Sequence, residues 1–218
     1  MKMMLRMIPA IAGFAAMHAK GATLSYLSAS RSLQGEESVA VPDTEFADFD
    51  ASVVGIFLDP NTGPRPGCRA AQRSTLGGEA ITVASTISGD AARGVSLFHI
   101  VFHLDATAAY ALSGSMHLLG TSGFACVSFR NVAQPDESII NEILFAPPQI
   151  SEMRPLLFTG SLEAGDYLLE AMIYGGGDNR PTEGSLDVLF TIPEPRSALL
   201  AGTGLALWCR FRTRRAGG

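Results

Sequence analysis

Hydrophobic and polar positions alternate along most of the chain, and the alternation predicts β-strands. The clearest run is VSLFHIVFHLD, residues 95–105. Every second residue from Phe98 to Leu104 is apolar, so these side chains share one face of the run. His99 and His103 lie on the other face. A period of two over this length is typical of a strand with one buried face.

Further alternating runs, separated by turn sequences, predict an all-β chain. Apolar residues share one face in EAITVASTIS (79–88), GDYLLEAMIY (165–174) and GSLDVLFTI (184–192). Turn sequences such as DPNTG, LEAG and GGGD separate the runs. Eight or so short strands at this spacing predict a single antiparallel β-sandwich that is jelly-roll-like. The run SIINEILFAPP (138–148) fits either a short helix stopped by Pro147 or a strand.

The first 21 residues have the composition of a secretory signal peptide. Lys2 and Arg6 form a charged start, and the apolar stretch MIPAIAGFAAM follows. Small residues stand before Ala22, where a signal peptidase would cut. The sequence therefore predicts a signal helix over residues 1–21, with the exported protein beginning at Ala22.

The chain ends in three parts that follow the last predicted strand. Pro193, Glu194 and Pro195 form a stiff break, because neither a strand nor a helix interior accommodates the prolines. Residues 197–209 are small and apolar, and they are fewer than the ~20 that a spanning helix needs. A basic cluster follows at Arg210, Arg212, Arg214 and Arg215. These parts predict a short membrane helix with its arginines on the cytoplasmic side.

This order of Pro-Glu-Pro, short apolar helix and arginine cluster resembles the PEP-CTERM sorting signal of Gram-negative bacteria. In that family the signal accompanies a secretory peptide and is recognised by an exosortase-type membrane protease. The resemblance implies three regions: a signal peptide at 1–21, a β-sandwich domain at 22–192 and a sorting signal at 193–218. It also implies export, anchoring in the inner membrane by the C-terminal helix, and transfer to the cell surface or the extracellular space.

Charge separates the body of the chain from its ends. Between Thr23 and Ile192 the sequence has 20 Asp and Glu against 8 Arg and no Lys. Binding to nucleic acid needs clustered basic residues, so this acidic body argues against a nucleic-acid partner.

Few residues suggest metal chemistry. His99 and His103 lie four residues apart, which is ~13 Å along a strand and too far for one ion. Closely spaced oxygen ligands of the kind that calcium accepts occur in PDTEFADFD, at Asp43, Glu45, Asp48 and Asp50. The stretch has no EF-hand spacing. We interpret it as solvated surface and expect no cofactor, with calcium as the alternative.

Two cysteines, Cys68 and Cys126, fall within the exported body, and Cys209 falls in the tail. An oxidising compartment permits a Cys68–Cys126 disulfide. A free loop thiol and a buried core thiol are an equal alternative.

We expect no enzymatic activity, and we expect a surface or extracellular-matrix protein associated with exopolysaccharide. The alternatives are a carbohydrate-binding module and a glycan hydrolase built on the sandwich. A hydrolase would need two carboxylates facing each other in one cleft. A sugar-binding face would need exposed aromatic residues, and the candidates are Tyr26, Tyr110, Tyr174 and Phe46. The other phenylalanines mostly fit core positions.

Overall fold

The computed structural model describes residues 22–35, 38–59, 63–89, 93–120, 123–146, 150–176 and 182–193. These residues form twelve β-strands and no helix. The strands are β1 (Leu24–Gly35), β2 (Ser38–Asp43), β3 (Phe49–Asp59), β4 (Gly63–Leu76), β5 (Ala80–Gly89), β6 (Gly94–Leu104), β7 (Ala108–Gly120), β8 (Gly123–Asn131), β9 (Ser138–Phe145), β10 (Ile150–Leu162), β11 (Gly165–Gly175) and β12 (Thr182–Thr191).

The strands form two six-stranded antiparallel sheets. Sheet 1 has the order β2-β1-β6-β11-β8-β9, and sheet 2 has the order β10-β7-β12-β5-β4-β3. From β5 onward the chain crosses between the sheets at almost every connection, and only β8 and β9 form a hairpin within one sheet. The eight strands β5 to β12 therefore have the connectivity of a jelly roll. Strands β1 to β4 widen both sheets at one side.

The predicted antiparallel sandwich is confirmed, and the ambiguous run 138–148 contributes a strand, β9, rather than a helix. The predicted signal helix and C-terminal membrane helix lie outside the described residues. Within the described part of the chain, no helix has the length and apolar character needed to cross a bilayer.

Both sheets contribute their alternate apolar residues to one core. In β6 the predicted inward face is confirmed, because the side chains from Phe98 to Leu104 at every second position are fully buried. Phe102 packs at the centre of an aromatic cluster, with its ring centroid 5.4 Å from that of Phe190 and 6.2 Å from that of Phe129. This cluster joins sheet 1 to sheet 2, because Phe190 belongs to β12. Burial of such rings is the main stabilising term of a sandwich.

A buried arginine interrupts the apolar core near β1. Arg31 is 1% exposed and lies on the inner side of sheet 1, opposite Phe98. Its guanidinium donates to the hydroxyl of Ser74, on β4 of sheet 2, at 3.2 Å. It also lies 5.1 Å from the ring centroid of Phe49. The arginine therefore links the two sheets where β1 and β4 face each other.

Candidate binding face on the outer side of sheet 1

The strand register of sheet 1 aligns aromatic side chains on its outer side. Tyr174 of β11 pairs with Phe124 of β8, and Phe124 pairs in turn with Phe145 of β9. The ring centroids of Tyr174 and Phe124 are 5.6 Å apart, and those of Phe124 and Phe145 are 6.4 Å apart. We call these three residues the aromatic row. Phe145 is 68% exposed at the end of this row, on the edge strand.

A second apolar row lies directly beside the aromatic row. The register places Met172, Cys126 and Ile143 next to one another on β11, β8 and β9, and Leu97 of β6 extends the row. The rows are two residues apart on each strand, and alternate residues of a strand lie on the same face. Ile143 is 40% exposed. The two rows together form one continuous apolar surface on an otherwise acidic protein.

A polar row borders this apolar surface, with Glu170 of β11 at its centre. The Oε1 atom of Glu170 lies 3.1 Å from Nδ1 of His99, which is directly opposite on β6. On the other side, the hydroxyl of Ser128 donates to Oε2 of Glu170 at 3.2 Å. Arg130 lies nearby, with Nη2 3.7 Å from the same oxygen. These contacts hold the carboxylate in one position, and the side chains of His99, Arg130 and Glu170 stay about one-third exposed.

The two histidines of β6 share this outer face, as the sequence predicts, and each pairs with its own carboxylate. His103 lies 2.7 Å from Asp166, and His99 pairs with Glu170. Among the described residues, no group of three His, Cys, Asp or Glu side chains has the geometry to hold a metal ion.

Two carboxylates of this face, Glu170 and Asp166, are too far apart for a glycosidase pair. Glu170 and Asp166 are four residues apart on β11, so their positions are ~13 Å apart. Retaining and inverting glycosidases separate their two carboxyl groups by about 5 to 9.5 Å. The arrangement instead offers an apolar strip beside fixed hydrogen-bonding groups, which is the composition of a binding surface.

The acidic stretch of the sequence does not converge on one point. Asp43 forms an ion pair with Arg31, with 2.5 Å between Oδ2 and Nη2. Asp50 forms an ion pair with Arg73, at 2.6 Å. Glu45 and Asp48 are exposed on the intervening segment. A calcium ion at this stretch would have to compete with two arginines for its carboxylates.

In the structure both Cys68 and Cys126 are free thiols. Cys68 lies on β4 of sheet 2 and is 1% exposed in the core. Cys126 lies on β8 of sheet 1, within the second apolar row on the outer face. The two side chains belong to different sheets, and only that of Cys68 points into the core, so they cannot meet.

Only one of the aromatic candidates from the sequence joins the binding face. Tyr174 belongs to the aromatic row, whereas Tyr110 is 7% exposed in the core. Tyr26 stacks on Phe46 at 6.2 Å near the other edge of the molecule, and its hydroxyl donates to the carbonyl oxygen of Gly77.

Sequence reasoning missed Phe124 and Phe145. A signal existed, since reading residues 138–148 as a strand puts Phe145 on the same side as Ile143. Of the sorting motif, Pro193 is described, and it is exposed just after β12. Glu194, Pro195 and the arginine cluster lie outside the described residues.

The outer face of sheet 2 carries a shallow depression of about 270 Å³. Its lining includes Gly114, Asp187, Leu189 and Arg73, and none of its residues is aromatic. On the same sheet, Nε2 of His117 lies 2.8 Å from the hydroxyl of Ser151.

No protein-family model and no curated protein matches the chain. Among solved structures, the chain is similar to the enzymatically active domain of tailspike protein 4 of bacteriophage CBA120, at 8% identity and a TM-score of 0.27, over 76% of this chain and 19% of that one. It is also similar to a structure of infectious bursal disease virus Gx strain, at 10% identity and a TM-score of 0.26, over 83% of this chain and 58% of that one. The chain thus spans less than two-thirds of either one. At these scores neither similarity bears on function.

Proposed function

We propose that this chain is a non-enzymatic protein of the cell surface or extracellular matrix, and that the outer face of sheet 1 attaches it to exopolysaccharide. The proposal joins the surface location implied by the C-terminal tail to the carbohydrate-binding alternative. Its partners are a polysaccharide at the sheet face and an exosortase-type protease at the tail.

The observation that carries the proposal is the continuous surface of the aromatic row and the second apolar row, bordered by the polar row around Glu170. A sugar ring has an apolar face of C–H groups and a rim of hydroxyls, so it fits an apolar surface that is bordered by hydrogen-bonding side chains. Phe145 offers most of its ring to solvent. Exposed apolar surface rimmed by polar groups is typical of interaction sites in soluble proteins.

Binding to the exopolysaccharide of the producing cell tests the sheet face. We expect the double variant Phe124→Ala, Phe145→Ala to bind at least tenfold more weakly than the wild type in a co-sedimentation or calorimetric assay. The matched control is Leu157→Ala, Leu189→Ala, because these leucines are exposed apolar residues on sheet 2, at 78% and 41%. Equal loss in both variants, or full binding by the phenylalanine variant, would reject the sheet face as the site.

The location is tested separately at the tail. Deletion of residues 193–218 should leave the sandwich folded and abolish retention at the surface. Replacement of Glu194 by Ala should leave membrane insertion intact and block processing, because the apolar run and the arginines remain. Surface retention of the deletion variant would reject the sorting role without affecting the proposed sugar-binding face.

A further inference from the structure

Strand β9 lies at one edge of sheet 1. It pairs with β8 on one side only, so some of its backbone groups have no partner strand in the sheet. The amide of Ala146 donates to the carbonyl oxygen of Gly123 on β8, at 2.9 Å. In an antiparallel pair, alternate residues bond to the neighbouring strand and the others turn away from it. The residues of β9 in register with Ala146 therefore bond to β8. Asn141, Ile143 and Phe145 direct their N–H and C=O groups to the free edge.

Arg154 of β10 covers the middle of this edge. Its Nη1 donates to the carbonyl oxygen of Ile143 at 2.8 Å. Two carboxylates hold the guanidinium in place: Glu142 of β9 at 3.5 Å and Glu152 of β10 at 3.4 Å. A side chain of sheet 2 thus reaches across to the open edge of sheet 1 and occupies an acceptor that a further strand would need.

The neighbouring edge, β10 of sheet 2, carries a different obstacle. Pro155 lies in the middle of this strand, opposite Ser115 of β7. A proline has no N–H to offer, and proline on an edge strand is a known device against pairing with another chain. Strand β9 has no proline and no basic residue of its own. Its protection depends on Arg154, which belongs to the next strand of the chain, β10.

We propose that Arg154 guards β9 against pairing with another chain, and that removing it turns this edge into a surface for self-association. The partner is the β9 strand of a second copy, paired antiparallel about a twofold axis. Both apolar rows of the outer face end at this edge, in Ile143 and Phe145. Pairing of two copies would join these rows across the new boundary, so that backbone hydrogen bonds and apolar contact act together.

The test is the oligomeric state of the full chain, purified in non-ionic detergent, by analytical ultracentrifugation. Arg154→Met should dimerise at least tenfold more strongly than the wild type. The matched control is Arg73→Met, which removes the same charge from the Asp50 ion pair on the outer face of sheet 2. That control should sediment as the wild type does. Hydrogen exchange of the amides at 141, 143 and 145 should slow with protein concentration in Arg154→Met alone.

A second pair of variants separates edge pairing from other causes of association. The N–H of Asn141 points to the free edge and makes no bond to β8. Asn141→Pro in the Arg154→Met background removes this N–H, so it should restore the monomer. The double variant Glu142→Gln, Glu152→Gln serves if Arg154→Met does not fold. It keeps the arginine but removes its two ion partners, so it should also shift the equilibrium from monomer towards dimer. Three results overturn the proposal: a monomeric Arg154→Met, association that persists with Asn141→Pro, or a wild type already dimeric through β9.

Discussion

Arg31 of β1 and Asp43 at the end of β2 form an ion pair of 2.5 Å, and the arginine side chain is fully buried. The same guanidinium donates to the carbonyl oxygens of Ala47 at 2.7 Å and Glu45 at 2.5 Å. One arginine thus fixes the segment that connects β2 to β3. It supplies the hydrogen bonds that a strand partner would otherwise provide to these carbonyl groups.

Replacing Arg31 should destabilise the sandwich strongly. Arg31→Met keeps much of the buried volume but leaves Asp43 and two carbonyl groups without their donor. Removing one partner of a buried ion pair costs about 3 to 5 kcal/mol in other proteins, and we expect about 3 kcal/mol here because Asp43 is partly exposed. The measurement is the urea midpoint at unchanged slope. Arg73→Met, which breaks an exposed pair, should cost less than ~1 kcal/mol. Similar midpoints for the two variants would contradict this role of Arg31.

Gly114 of β7 should not tolerate a side chain. Its φ is +152°, and a Cβ atom there would lie 1.9 Å from the carbonyl oxygen of Asp187 on β12. Gly114→Ala should therefore lower the free energy of unfolding by more than ~1 kcal/mol, measured by thermal or urea unfolding. Gly78→Ala is the control, because a Cβ atom there would meet nothing within 4 Å. If Gly114→Ala is as stable as Gly78→Ala, the close approach of β7 to β12 at Gly114 does not restrict the side chain, and the prediction is wrong.

Tyr26 should titrate in strongly alkaline solution. Burial raises the pKa of its hydroxyl to about 12, from the ordinary value of 10. A pKa raised in the folded state contributes stability that is complete below pH 10 and is lost as the pH rises towards 12. A spectrophotometric titration should therefore show a phenol ionising near pH 12 in the wild type and not in Tyr26→Phe. In urea, the titration of the wild type should show one additional phenol ionising near pH 10 when compared with Tyr26→Phe. If the folded proteins already differ by a phenol that ionises near pH 10, the prediction is wrong.

The two cysteines of the sandwich should react as separate, slow thiols. Burial raises the pKa of Cys68 and also of Cys126, where the charge of Glu170 raises it further. Alkylation of the folded protein near neutral pH should modify Cys126 first, because Cys68 is 1% exposed. In urea the two rates should become similar. Peptide mapping without reduction gives the readout, and a linked pair of peptides containing both residues would contradict the prediction.

The sequence predicted the inner faces of the sandwich better than the outer ones. In β6 and β12 one alternate set of side chains is apolar and the other is mixed or polar, so the buried face follows from the pattern. In β8 both sets contain a phenylalanine, Phe124 in one and Phe129 in the other. Burial favours the set of Phe129, and this choice depends on the neighbouring strands rather than on the local sequence. The aromatic row was hidden for that reason.

A local sequence pattern also cannot predict contacts between distant parts of the chain. Arg31 is a single charge within LSYLSASRSLQG, which suggests a surface position. Its burial follows from Asp43 and the carbonyl groups of the next loop, which reach it only after the sheets have formed. The same applies to the guard of β9, since Arg154 and Ile143 belong to different sheets.

The order of strands in sheet 2 limits when the molecule can finish folding. Strand β5 lies between β4 and β12, so one of its two neighbours is the last strand of the sandwich. Strand β7 likewise waits for β10 and β12. During synthesis, sheet 2 therefore cannot close until Thr191 has left the ribosome, and such distant pairings make folding slow. A chain that ends before β12 leaves β5 and β7 each without one of its two neighbours, so sheet 2 stays incomplete until the last strand pairs.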